Sequence, residues 1–315
     1  MSRLDWKLLL RCSAVGFFCA VASSAQVKIT KQQDRIAVEI GGKPFGDFVY
    51  GSGTPKPYFA PLRSASGAIV TRKYPMEEVA GESRDHRHHR GLWIGYKDVN
   101  GFNFWENEFS YHNPKAGTLV VRKVDEARGG KKEGSIRATI AWVDPRGKTL
   151  LTENRTMTFH DDPKLRIIDV ESVLKADAES TFGDDKDGTF AVRIADSMTE
   201  KHGGTIVNSD GGHGMKECWG KKANWVDYTG EIGGEKVGIA MFDNPDSFRH
   251  PVRWHVRDYG LFAANPFGAH AYDPSAAVSS VALKPGQTVT LHYRVVIHPP
   301  MDAATIDRMY RDWAK

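Results

Sequence analysis

The segment Asp85-His86-Arg87-His88-His89-Arg90-Gly91-Leu92-Trp93 gathers three imidazoles, three charged side chains and an indole in one short stretch. Imidazole titrates near neutral pH, so it serves as a general acid, a general base or a metal ligand. Arg90 adds a planar fork suited to a carboxylate or a polarised oxygen. If the segment is extended, His86 and His88 share one face and His89 takes the other. A copper or zinc ion is the metal alternative, held by His86 and His88. It would need further ligands from a distance, because the spacing matches neither HExxH nor a Cys/His template. The plain alternative is a histidine-rich loop hydrogen-bonded to backbone.

A second cluster runs from Arg249-His250-Pro251 through Arg253-Trp254-His255-Val256-Arg257-Asp258-Tyr259 to Asn265-Pro266-Phe267-Gly268. On a strand, Arg253, His255 and Arg257 share one face, and Val252, Trp254, Val256 and Asp258 share the other. Three ionisable groups on one face are costly to bury, so that face is expected to line a cleft or to meet water. Asp258 is the carboxylate expected to orient a histidine. Asp184-Asp185-Lys186-Asp187-Gly188 lacks the repeated oxygen ligands of a calcium loop and reads as a tight turn, with Lys186 and Arg193 pointing towards a site. The glycine-rich run from Gly203 to Gly214 matches no phosphate-binding fingerprint and reads as an edge loop. Trp93, Trp105, Trp219, Trp225 and Trp254 stand beside charged and amide residues. Aromatic faces in such company suit the C–H faces and hydroxyl edges of sugars, although a large β core also consumes tryptophan.

The elements that must position these residues are mostly strands. Period-two alternation appears at Val27 to Ile40 and again over residues 118–124, 135–143, 149–159, 164–174 and 189–195, with later runs at 236–242, 252–256 and 288–298. Gly, Asp, Asn or Pro clusters separate most of them, which predicts an antiparallel, all-β sandwich. One helix is expected near Asp302 to Ala314, where Ile306, Met309, Tyr310 and Trp313 recur at helical spacing.

Arg3, Lys7 and Arg11 precede an apolar stretch from Cys12 to Ala22 and the small residues Ser23-Ser24-Ala25, the pattern of a secretory leader cut after Ala25. The apolar stretch is short for a membrane span. Residues 26–315 are then expected to form one domain in the periplasm or outside the cell, with Cys218 as the sole thiol, excluding an internal disulfide. Removing the leader lowers the formal net charge from +4 to +2, and basic residues alternate with acidic ones. Neither a nucleic-acid surface nor a membrane span is indicated.

Together with Lys56-Pro57-Tyr58-Phe59, Thr71-Arg72, Tyr74-Pro75-Met76, Val99-Asn100-Gly101, Phe104-Trp105 and Ala223-Asn224-Trp225-Val226-Asp227-Tyr228, these segments resemble a bacterial family labelled "methane oxygenase PmoA" and otherwise described as a domain of unknown function. The resemblance implies a large sandwich similar to the galactose-mutarotase supersandwich and a link to bacterial sugar breakdown. The oxygenase activity is not implied, because the monooxygenase subunit sharing that label is a multi-span membrane protein and this mature chain has no apolar run to match. The expectation is a carbohydrate-active enzyme without a required cofactor, acting on a sugar or an oxidised glycoside as an epimerase, lyase or hydrolase. Its catalytic residues would be His88, His89, Arg90, His255 and Asp258. Trp93, Lys186, Arg193, Arg249, Trp254 and Arg257 would bind the sugar, stacked on Trp93 or Trp254. A non-catalytic glycan-binding protein and a His-ligated metal enzyme are the alternatives.

Overall fold

The computed structural model describes Gln26–Lys315, and the expected leader with its cleavage point lies outside the described residues. In chain order the strands are β1 (Val27–Lys31), β2 (Arg35–Ile40), β3 (Lys43–Val49), β4 (Tyr58–Ala60), β5 (Leu92–Tyr96), β6 (Thr118–Arg128), β7 (Glu133–Val143), β8 (Thr149–His160), β9 (Arg166–Ala176), β10 (Ser180–Phe182), β11 (Gly188–Arg193), β12 (Thr205–Asn208), β13 (Trp225–Ile232), β14 (Glu235–Asp243), β15 (Arg253–Val256), β16 (Leu261–Asn265), β17 (Val281–Leu283) and β18 (Thr288–His298). Three helices, α1 (Gly214–Cys218), α2 (Ala269–Tyr272) and α3 (Ala303–Trp313), complete the regular elements with short 3-10 turns.

Two eight-stranded antiparallel sheets form the sandwich that the alternation predicts. The first has the order β1-β2-β3-β4-β5-β11-β16-β15, the second β12-β13-β14-β18-β9-β8-β7-β6. Their facing sides share one apolar layer. Aromatic pairs stitch it across the gap: Phe190 stacks on Tyr293 at 4.9 Å, and Phe159 meets Phe59 at 5.3 Å and Phe45 at 6.1 Å. Trp254 lies in this layer, fully buried, with its indole N–H donated to the Ala223 carbonyl at 2.9 Å. A sugar therefore cannot stack on it, which corrects the expectation that Trp254 is a binding platform.

The first sheet's outer side also carries an apolar patch, built by Tyr58, Ala60, Trp93, Trp105, Ala191, Leu261 and Ala263. Cross-strand register aligns Tyr58 with Trp93, Trp93 with Ala191, Ala191 with Ala263 and Ala263 with His255. One row thus crosses five strands and ends on His255. Strands β5, β11 and β16 are consequently buried on both faces.

The outer side of the second sheet is closed by α3, whose Ile306 and Tyr310 pack on Trp225, Ala240, Phe242 and Val296. Asp302 caps this helix, its side chain accepting the Thr305 N–H at 2.8 Å. Ile306 is fully buried. Ile306→Ala should therefore lower the unfolding free energy by roughly 2–5 kcal/mol, read by urea denaturation. A loss under about 0.5 kcal/mol would show that α3 contributes little to holding the sandwich.

Candidate functional site

The loop before β5 is fixed by a buried ionic knot. Asp85 accepts from Arg72 Nη1 and, at 2.9 Å, from Arg193 Nη2, and its second oxygen lies 3.1 Å from His86 Nδ1. Arg72 also donates to the His86 carbonyl at 3.0 Å, and Ser83 is tied to Asp196 on the same side. Both guanidinium side chains are sealed from solvent, so the carboxylate is their charge compensation. Burial pushes the Asp85 carboxyl up, but the hydrogen bond from His86 and the charges of Arg193, His86 and Arg72 outweigh it and hold the group far below the usual carboxylate range. The loop then turns at Gly91, where φ is +58° and a Cβ would stand 2.6 Å from the Phe59 carbonyl.

This geometry delivers the histidines into a cleft of about 220 Å³ on the outer side of the first sheet. His86, His88 and His89 line it together with Lys186, Asp187, His255 and Arg257, and with Lys97, Trp105, Glu106 and Tyr259. Two clusters far apart in sequence thus meet, because β11 and β16 bring β5 and β15 into one sheet.

The imidazoles differ in tautomer. His255 Nδ1 lies 3.0 Å from the Lys186 carbonyl, which can only accept, so Nδ1 carries the proton and Nε2 a lone pair. His89 Nδ1 lies 3.4 Å from Arg193 Nη1, which can only donate, so here Nδ1 carries the lone pair and Nε2 the proton. Neither Nε2 has a protein partner among the described residues. His88 pairs with the Tyr111 hydroxyl at 3.1 Å. All three rings are neutral at pH 7. Burial lowers His88 and His89 well below the ordinary histidine value, helped by the charge of Lys56 on the former and by His88 and Arg193 on the latter. Burial also takes His255 down to about 4, with the Asp187 carboxylate resisting in part. The 3.6 Å approach of His255 Nδ1 to Asp187 Oδ1 is therefore a contact of a neutral ring with a carboxylate.

The carboxylates are already engaged. Lys97 Nζ lies 2.9 Å from Asp187 and 3.1 Å from Glu106, and Lys186 Nζ lies 3.3 Å from Asp187. Burial raises Asp187, but the hydrogen bond from Lys97 and the charges of His255, Lys186 and Lys97 outweigh it and keep the carboxyl below its ordinary value. Arg257 has no carboxylate within ion-pair distance among the described residues. Its Cζ sits 5.6 Å from the Tyr259 ring centroid, a ring that Arg193 also approaches at 4.7 Å, and its buried Nε lacks a hydrogen-bond partner.

Several expected residues stand elsewhere. Arg90 makes a two-pronged bond to buried Glu108, at 2.8 and 2.7 Å, and leans on Tyr58, so it anchors the turn after Trp105 and does not face the cleft. Asp258 lies 3.8 Å from Lys201 and touches no histidine, and Asp187 takes the place beside His255 assigned to it. Arg249 donates to the carbonyls of Pro266 and Ser279, outside the cleft. Trp93 is only 1% exposed, stacked beneath His89 at 5.1 Å, so it supports the imidazole and offers no face to a sugar. Arg193 likewise works from below, through Asp85 and His89. For the metal alternative, His86 Nδ1 is occupied by Asp85, and no group of three or more His, Cys, Asp or Glu among the described residues is arranged to hold an ion. Sequence reasoning missed Lys97, which lines the cleft, and Tyr111, which pairs with His88, since a lone lysine and a lone tyrosine carry no motif.

A family model described as a family of unknown function (DUF6807) matches residues 35–311. The chain belongs to that family. No curated protein matches it in sequence. Among solved structures, an α-galactosidase of the GH36 group, AgaA from Geobacillus stearothermophilus, is similar with a TM-score of 0.43 and 9% identity. That match covers 87% of this chain but spans only 40% of the α-galactosidase. A galactose mutarotase related enzyme from Lactobacillus acidophilus gives 0.36 and 10% identity over 88% of this chain and 98% of its own, and a galactose mutarotase-like protein from Lactobacillus casei gives 0.38 and 9% over 86% and 100%. The chemistry of the DUF6807 chain is therefore read from its own cleft.

Two outcomes follow from this geometry. Nitrogen-15 NMR at pH 7 should show His255 protonated on Nδ1 and His89 on Nε2, with His255 titrating near pH 4; the reverse pair of tautomers would contradict the arrangement. Asp85→Asn should cost roughly 1–3 kcal/mol, below the range for a fully buried pair because the Asp85 side chain is 40% exposed. The folded carboxyl ionises below its unfolded value of about 3.9, so this stabilisation is complete at neutral pH and lost as the pH falls below that value. Denaturation curves of wild type and variant should accordingly converge in acid.

Proposed function

We propose that the protein is an exported carbohydrate-active enzyme that uses His255 as a general base on a single sugar ring. The observation that carries this reading is the pair of neutral imidazoles with opposite tautomers lining one polar cleft. The cleft's volume of about 220 Å³ lies below the range of drug-sized sites, which suits one small polar ring. His255 Nε2 takes a proton from a ring hydroxyl, or from a carbon next to a carbonyl or carboxylate. The His89 N–H and the Arg257 guanidinium stabilise the oxygen on which negative charge develops. A neutral imidazole donates a hydrogen bond effectively there without surrendering its proton.

Epimerisation and β-elimination fit this machinery better than hydrolysis by paired carboxylates. Hydrolysis of that kind needs one protonated carboxyl group at working pH. Asp187 is held ionised by Lys97, and Glu106 shares the same ammonium. The leader expected over residues 1–25 supports action in the periplasm or outside the cell.

A panel of aldoses, uronates and glycosides incubated in deuterated buffer should yield either a new product or deuterium on carbon, followed by mass spectrometry and NMR. His255→Ala should lower kcat/KM by about 10²–10⁴-fold, and Asp258→Asn should leave it within about twofold. Loss of the base on protonation should bring kcat/KM down only as the pH falls through about 4. Sugars that bind while no member of the panel reacts would make the protein a glycan-binding module.

A further inference from the structure

A second cleft, of about 300 Å³, opens on the same side of the first sheet next to the histidine cleft. Arg253 and His255 project from one face of β15, two residues apart, and each lines a different cleft. Buried Tyr272 links residues of the two clefts, its hydroxyl donating to the Lys186 carbonyl at 2.6 Å and accepting from Asn265 Nδ2 at 3.3 Å. Three cations converge on the second cleft: Lys222, Arg249 and Arg253.

Their charges are poorly compensated. Lys222 and Arg249 have no carboxylate within ion-pair distance among the described residues, and Arg253 reaches only the half-exposed Asp273, at 3.7 Å. Asp184, the acidic group nearest in effect to Arg249, is occupied by the N–H groups of His270, Ala271 and Ser279 and by the Ser279 hydroxyl. Both guanidinium groups are nevertheless held in place. Arg253 Nη1 donates to the Gly220 carbonyl at 2.7 Å, while Arg249 Nη1 donates to the Pro266 and Ser279 carbonyls. Arg249 holds a left-handed backbone, φ +59°, and Arg253 Nε is buried with no partner. An arginine fixed by one nitrogen with others unspent is set up to receive an oxyanion.

We propose that this cleft is a second binding site, for the carboxylate, phosphate or sulfate group of a small ligand. Its occupant is recognised by charge and by the oxygens of the anion, with Lys222 as the mobile contact and the two arginines as the fixed ones. The site is distinct from the histidine cleft and its test needs no turnover.

Isothermal titration of the purified protein at low ionic strength should show binding of D-galacturonate, inorganic phosphate or sulfate. D-galactose serves as the neutral control, and the tightest of the three anions identifies the source of the group. Lys222→Glu, at an exposed side chain that leaves the fold alone, and Arg253→Gln should each weaken binding roughly tenfold or more. His255→Ala should leave it unchanged. The proposal is overturned if none of the three anions binds, if the Lys222→Glu/Arg253→Gln double variant binds as wild type does, or if His255→Ala abolishes binding and so places the anion in the other cleft.

Discussion

The shared carboxylate of Asp85 is the constraint from which the site follows. Arg72 comes from the segment before the histidine loop and Arg193 from the end of β11, and both are buried too deeply for water to balance their charge. Bringing two guanidinium groups together is unfavourable unless an anion stands between them. Asp85 supplies it, and doing so fixes the neighbouring loop. His86 is held by its own carbonyl and ring, His89 packs over Trp93, and Arg193 reaches the His89 ring nitrogen. The same guanidinium that anchors the loop thus selects the tautomer of one candidate catalytic group.

Burial then decides what the histidines can do. An exposed imidazole at neutral pH divides its population between charged and neutral forms. In this cleft, burial away from water and the surrounding cations remove the charged form of His88, His89 and His255 alike. With charge removed, the two ring nitrogens become unequal, and the identity of the group behind each ring sets the chemistry in front of it. A carbonyl behind His255 makes a base, and a guanidinium behind His89 makes a donor.

The sequence revealed the second sheet more fully than the first. Strands β7, β8 and β9 and the first half of β18 alternate because much of their outer side meets solvent, and the capped, periodic α3 was equally legible. Strands β5, β11 and β16 are covered on both faces by the core and by the Trp93–Ala191–Ala263 layer, which erases the alternation in Leu92–Tyr96 and Leu261–Asn265. These are the strands that carry the site. Composition singled out the His86–His89 and Arg253–Arg257 clusters, and His86, His88, His89, His255 and Arg257 do line one cleft. Partner choice was not legible. Asp258 is adjacent in sequence to the residues it was expected to serve, yet the turn after Val256 directs it to Lys201. Arg90 pairs with Glu108, a contact that sequence spacing does not encode, whereas the inward face of Trp254 follows from the alternation that sets it opposite His255.

The ammonium group of Lys97 shapes the choice of chemistry as much as the histidines do. It contacts both Asp187 and Glu106, and Lys186 adds a second positive charge beside Asp187. Asp187 therefore stays an ionised acceptor that positions these cations. The proposed proton abstraction is assigned to His255 because its tautomer is fixed by the Lys186 carbonyl and its other ring nitrogen has no protein partner among the described residues.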